Sequence, residues 1–170
     1  MKTWSLKEII KNIFDISTID PKRYVAHWRQ TKWVVGSSLF LFVPGIYGYL
    51  NNEYYLSTVS IASGLCSINF WRNATYSWRR SIDHIVAKIN FVAFTAANLK
   101  FLTQSPFIYK GWSGYGAGCI CYIMSNKYGD VETNELWWKY HMLFHLCISF
   151  SQFITIKSIL YNSSLLLQTI

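Results

Sequence analysis

His141 and His145 stand four residues apart in the run Trp137-Trp138-Lys139-Tyr140-His141-Met142-Leu143-Phe144-His145. On a helix that spacing places both imidazoles on one face, one turn apart. Two imidazoles so placed can share a metal ion or relay a proton. They can equally form a packed pair whose hydrogen bonds tie neighbouring helices and involve no metal. Three further residues belong to the same question: Ser67, Asp83 and His84. Each has an ordinary reading beside a functional one. Asp83 can complement a helix dipole or pair with Arg79 or Arg80, His84 can sit at an interface, and serine is common where helices touch.

These residues lie in a chain built from apolar blocks. Of 170 residues 52% are hydrophobic and 14% charged, against roughly 25% charged in an average soluble domain. The blocks are separated by short polar, basic or aromatic links. The expectation is an all-α polytopic membrane bundle of about five spans: 33–50, 54–71, 82–101, 112–125 and 136–160. Residues 33–170 would form the bundle and 1–32 an amphipathic and basic juxtamembrane segment. Pro44-Gly45 is positioned to kink the first span. The fourth is short for a crossing and carries Gly114 and Gly118 at a small-xxx-small spacing expected to bring two helices close.

Within 5–14, Leu6, Ile9, Ile10, Ile13 and Phe14 form one apolar helix face, and Ser5 and Glu8 have capping-box spacing. This predicts a helix lying in the membrane interface or packed on a partner protein. Asp20-Pro21 reads as a second helix start, followed by a basic and aromatic belt that includes His27 as an anchor. Cys66, Cys119, Cys121 and Cys147 all fall in apolar runs and read as packing residues.

The net charge of +8 is concentrated beside alternate links. Seven Lys and Arg residues precede the first span, and Arg72, Arg79, Arg80, Lys127 and Lys139 fall on the same side of the predicted topology. The opposite side holds Lys100 and Lys110. The positive-inside rule then places the N-terminus in the cytoplasm and the C-terminus across the membrane. This placement accounts for the basic charge without nucleic acid. The expected partners are membrane lipids and other membrane proteins. In this topology Ser67 near the end of one span, Asp83 and His84 near the start of the next, and His141 and His145 near the start of the last all come to one membrane depth. Ionisable groups at such depth are functional candidates because leaving them unpaired is costly.

Ser67, the Asp83 that follows one link later, and His141-x3-His145 on the last span together resemble the alkaline-ceramidase-like superfamily of membrane hydrolases, which includes adiponectin-type receptors and GPI-lipid-remodelling enzymes. The resemblance covers residues 60–150. It implies a seven-helix bundle, where five spans are expected here, a zinc ion held by three histidines, and hydrolysis of a lipid amide or ester. His141 and His145 match zinc ligands, Asp83 the family's acid and Ser67 its serine. Trp71 stands where the family carries its first zinc histidine, which makes His84 the candidate third ligand. On this reading zinc-bound water is the nucleophile and Asp83 a base. Two other functions fit the composition: a non-catalytic subunit or scaffold of a membrane or virion assembly, and a small transporter or channel in which Lys88 lies within the third span.

Overall fold

The apolar blocks fold as helices. The structure, a computed structural model, describes residues 20–100, 108–128 and 135–168 together with Ser5 and Lys7. The amphipathic stretch 5–14, apart from Ser5 and Lys7, lies outside the described residues. Helix α1 runs Trp28–Leu50, α2 Tyr54–Trp71, α3 Trp78–Lys100, α4 Ile108–Lys127 and α5 Leu136–Gln168. The described residues are thus mostly helical, consistent with an all-α fold, and among them is one small strand pair. Helix α1 and residues Leu136–Ser164 of α5 are long and apolar enough to cross a membrane. Helix α4 has 20 residues, longer than the predicted 112–125, and at ~1.5 Å per residue it is as long as a hydrocarbon core is thick.

Helix α1 changes pitch before the expected kink. Leu39–Leu41 form a single 3-10 turn, followed by Pro44. Proline has no N–H and frees the carbonyl four residues earlier. That carbonyl belongs to Phe40, and it accepts a hydrogen bond from Ser149 Oγ at 2.5 Å. The next carbonyl, of Leu41, lies 2.8 Å from Ser60 Oγ. The backbone defect of α1 thereby becomes its attachment to α5 and α2. The polar link Asn51-Asn52-Glu53 turns tightly: Asn52 takes a φ of 65°, a conformation asparagine tolerates. Glu53 accepts from the Leu56 N–H at 3.1 Å and caps α2.

Asp20-Pro21 does not start a helix. Asp20–Tyr24 form a strand, β1, paired antiparallel with Thr75–Tyr76, β2. The Val25 N–H continues the pairing to the Ala74 carbonyl at 2.7 Å. Pairing with the link after α2 satisfies the backbone groups a helix would have satisfied internally. Helix α1 starts instead at Trp28, with His27 at its N-cap position. His27 is exposed and stacks on Tyr24, outside the bundle as expected.

The helices make an incomplete ring. Helix α4 packs along α5, α5 along α1, α1 along α2, and α2 along α3, whereas α3 and α4 touch only sparsely. The α4–α5 contact is the tightest. A Cβ on Gly114 would come within 3.1 Å of Ser151 Cβ and 3.2 Å of the Cys147 carbonyl. The backbone on the other side cannot move away without parting the helices. Gly114→Val is therefore expected to lower the melting temperature of the purified protein in detergent, while Gly116→Ala, where nothing lies within 4 Å, leaves it unchanged.

Candidate functional site

Ser67, Asp83, His84, His141 and His145 all line one cavity of about 710 Å³. Helix periodicity puts them there. On α3, Arg80, Asp83, His84, Ala87, Lys88 and Phe91 follow the i, i+3, i+4, i+7, i+8, i+11 spacing of a single face, and all face the cavity. The other side of α3 carries Ile82, Ile85 and Ile89, all exposed. On α5 the cavity face is Trp137, His141, Phe144, His145, Ile148 and Gln152. The cavity sits where α2 and α4 end and α3 and α5 begin. One end is closed by Val25, Phe70, Trp71 and Trp137, with the Trp71 and Trp137 rings stacked at 5.6 Å.

The histidine pair has defined partners. The His141 and His145 ring centroids lie 4.8 Å apart at 81°. Both rings are buried, with 9% and 3% of their surface exposed. His145 Nδ1 lies 2.9 Å from Ser37 Oγ and 3.4 Å from Ser38 Oγ. Each serine hydroxyl also donates to the Val34 carbonyl at 2.9 Å. A hydroxyl has a single proton, so with those protons on Val34 the two oxygens meet His145 as acceptors. We assign the imidazole proton to Nδ1 on this ground, which leaves Nε2 as the basic nitrogen. Ser67 Oγ lies 2.9 Å from Ser38 Oγ and, Ser38's proton being used, donates to it. Ser67 therefore supports the serine pair that orients His145. His141 Nδ1 is held by Ser125 Oγ at 3.3 Å.

Asp83 and His84 reach the cavity from its α3 wall. No hydrogen bond joins them to the α5 pair among the described residues. The His84 Nδ1 is buried and has no hydrogen-bond partner. The described residues include no group of three or more His, Cys, Asp and Glu side chains close enough to hold a metal ion. As arranged, the donors do not fit the three-ligand zinc site that the resemblance implies. Trp71 packs directly on the pair: its ring lies 4.8 Å from that of His141, edge-on at 65°.

A polar chain runs from the inner end of the cavity into the bundle. Asn90 Nδ2 donates to Ser63 Oγ at 2.6 Å, Gln152 Nε2 donates to Asn90 Oδ1 at 2.6 Å, and Ser60 Oγ lies 2.8 Å from both Gln152 Oε1 and the Leu41 carbonyl, which compete for its single proton. Ser37, Ser38, Ser125, Asn90 and Gln152 were not singled out by sequence. One signal was available: Ser57, Ser60, Ser63 and Ser67 recur on a single face of an otherwise apolar helix, and all four are buried. Partners for such a stripe, by contrast, come from other helices and leave no spacing to read. Compared with known proteins, the chain matches no family model, no curated protein and no solved structure.

Proposed function

We propose that the chain is a five-span membrane protein whose cavity binds a lipid and hydrolyses its ester or amide link. The observation that carries this is the convergence of Ser67, Asp83, His84, His141 and His145 from three helices on one cavity. A volume of about 710 Å³ is within the ~300–1,000 Å³ of small-molecule sites. The distribution of polarity supports the membrane reading. Leu39, Phe40, Val43, Ile46, Leu65, Ile85, Val92 and Ile120 are exposed, while Ser38, Ser57, Ser60, Ser151, Gln152, Thr155 and Ser158 are completely buried. That is the inverse of a soluble domain and is stable when the surrounding solvent is hydrocarbon.

In this reading His145 is the general base. A water gives its proton to Nε2 as its oxygen bonds to the acyl carbonyl carbon. The bond from that carbon to the leaving oxygen or nitrogen then breaks, and the proton passes from His145 to the leaving atom. Asp83 is the cavity's carboxylate and the second proton acceptor. The test is release of fatty acid from ester and amide lipids by protein reconstituted in vesicles. No release by wild-type protein across both lipid classes would remove the hydrolase and leave the scaffold function standing.

A zinc centre is the second reading; it requires the α3 and α5 donors to draw closer than they stand, and the partnerless, buried Nδ1 of His84 is the observation in its favour. Metal analysis of protein purified without chelator decides it. About one zinc per chain, lost in both His141→Ala and His145→Ala, supports the centre, and metal-free protein removes it. Topology has its own measurement. Cysteine labelling is expected to find the N-terminus and residues 126–134 on one side and residues 51–53 and the C-terminus on the other. Residues 51–53 on the N-terminal side would break the five-span arrangement.

A further inference from the structure

The cavity is closed at its aromatic end and opens sideways. Its lining includes five exposed residues, all on the two helices that flank the sparse seam: Ala87, Phe91 and Val92 on α3, Cys119 and Ile123 on α4. Phe91, Val92 and Ile123 are 46%, 65% and 41% exposed. A gap with an apolar rim, between two helices whose outer faces are also apolar, opens into lipid if the bundle spans a membrane. A soluble solute would have to cross that rim, whereas an acyl chain already lies beside it.

Inside the rim the cavity is mostly apolar, but it is not neutral. Arg80 and Lys88 line it against a single carboxylate, Asp83. Arg80 is only 5% exposed, and its guanidinium sits 5.0 Å above the Tyr76 ring, which holds it in place at the cavity's closed end. Lys88 lies two turns further along the same face of α3, about 12 Å away at ~1.5 Å per residue. The two cations thus bracket Asp83 and His84. Cations at membrane depth are retained where an anion or a polar cavity meets them, and guanidinium and ammonium groups both bind phosphate and carboxylate strongly.

We propose that the cavity takes a membrane lipid with an acidic head group, phosphate or carboxylate, which Arg80 and Lys88 hold while the acyl chain leaves through the α3–α4 seam. This deepens the lipid-binding reading of the same site and rests on it. The sequence order along α3 supports the orientation: cationic and polar residues from Arg80 to Lys88, then Phe91 and Val92 at the opening.

Trp71 and Trp137 line the cavity, so their fluorescence reports occupancy. The experiment uses the full chain in detergent and four probes: a bromine-labelled fatty acid at a pH where it is ionised, its methyl ester, a bromine-labelled lysophosphatidic acid, and inorganic phosphate as competitor. Both acidic lipids are expected to quench at concentrations on the order of ten-fold lower than the ester, the size of one charge-assisted contact. Lys88→Gln should remove most of that difference and Lys88→Arg should keep it. Val92→Phe with Ile123→Phe, which fill the seam, should weaken acid and ester alike. Equal quenching by acid and ester overturns the acidic head group and leaves lipid binding intact. Quenching by none of the lipids overturns both. Displacement of the acid by inorganic phosphate at similar concentration overturns the commitment to a lipid. The acid-to-ester ratio of the wild-type protein decides the charge claim even if a variant fails to fold.

Discussion

His145→Asn is expected to lower lipid turnover by roughly 100-fold or more, the usual size of a lost general acid–base group, while the protein keeps its fold. Asparagine places an N–H where Nδ1 now faces Ser37 Oγ at 2.9 Å, so the tie between α5 and α1 survives. What it lacks is the basic nitrogen across the ring. His145→Leu removes both and leaves the Ser37 and Ser38 oxygens facing a methyl group. It should lose turnover and also some stability, about 0.6 kcal/mol and at most about 1.7 for one interhelical hydrogen bond in a membrane bundle. The comparison separates two roles that one histidine can combine. If the pair serves only to hold helices together, His145→Asn will be as active as wild type, and the base assignment falls. Measured together, initial rates in vesicles and melting temperatures in detergent distinguish the cases. His141→Asn should cost less turnover, because its Nδ1 bond to Ser125 is long at 3.3 Å and its ring meets Trp71 rather than a hydroxyl pair.

The second large effect is a gain. Trp71→His is expected to give a protein that binds about one zinc per chain more tightly than the parent does, because it adds a third imidazole to a pair. The Trp71 and His141 ring centroids are 4.8 Å apart, as are those of His141 and His145. A histidine at position 71 thus starts from the right neighbourhood. A direct ligand should be worth at least the roughly 10–100-fold that a supporting outer partner contributes to metal affinity. The substitution also opens space against Phe70 and Trp137, which pack on Trp71. Truncating a buried tryptophan to alanine costs about 3–5 kcal/mol, and a histidine should lose only part of that. Trp71→Gln is the control: it leaves similar space and adds no imidazole. Zinc titration followed by absorption spectroscopy, with metal–nitrogen distances near ~2.0–2.1 Å, checks the result. Equal zinc affinity in Trp71→His and Trp71→Gln would show that position 71 does not reach the pair.

Most of the helices, and the shared face of the histidine pair, were legible in the residues alone. Apolar runs of near-bilayer length between polar links predict helices at 54–71 and 136–160, and the structure has helices at Tyr54–Trp71 and Leu136–Gln168. The i, i+4 histidines share a face because the helix period is a local property of the backbone. The meeting of Ser67, Asp83, His84, His141 and His145 also followed in part: each lies near one end of its helix, and the structure brings all five to one cavity. Local signals failed where a distant partner competed. Asp20-Pro21 carries a helix start, yet β1 forms because Thr75–Tyr76 offers paired backbone groups, and nothing near Asp20 in sequence announces that strand.

Other features depended wholly on which helices are neighbours. Ser37 and Ser38 orient His145 only because α1 packs beside that turn of α5, and Ser67 supports them only because α2 packs on α1. Pro44 denies the Phe40 carbonyl its usual helical donor, and tertiary packing adds the Ser149 hydroxyl to the backbone N–H it keeps at the end of the 3-10 turn. Trp71, read as a missing histidine, proves to lie against His141 and to close one end of the cavity. Sequence spacing places residues on the face of one helix, but the seam between α3 and α4, and with it the cavity's opening, is a gap between two helices. It exists because the ring closes through α5 and α1 and leaves those two helices without close packing against each other.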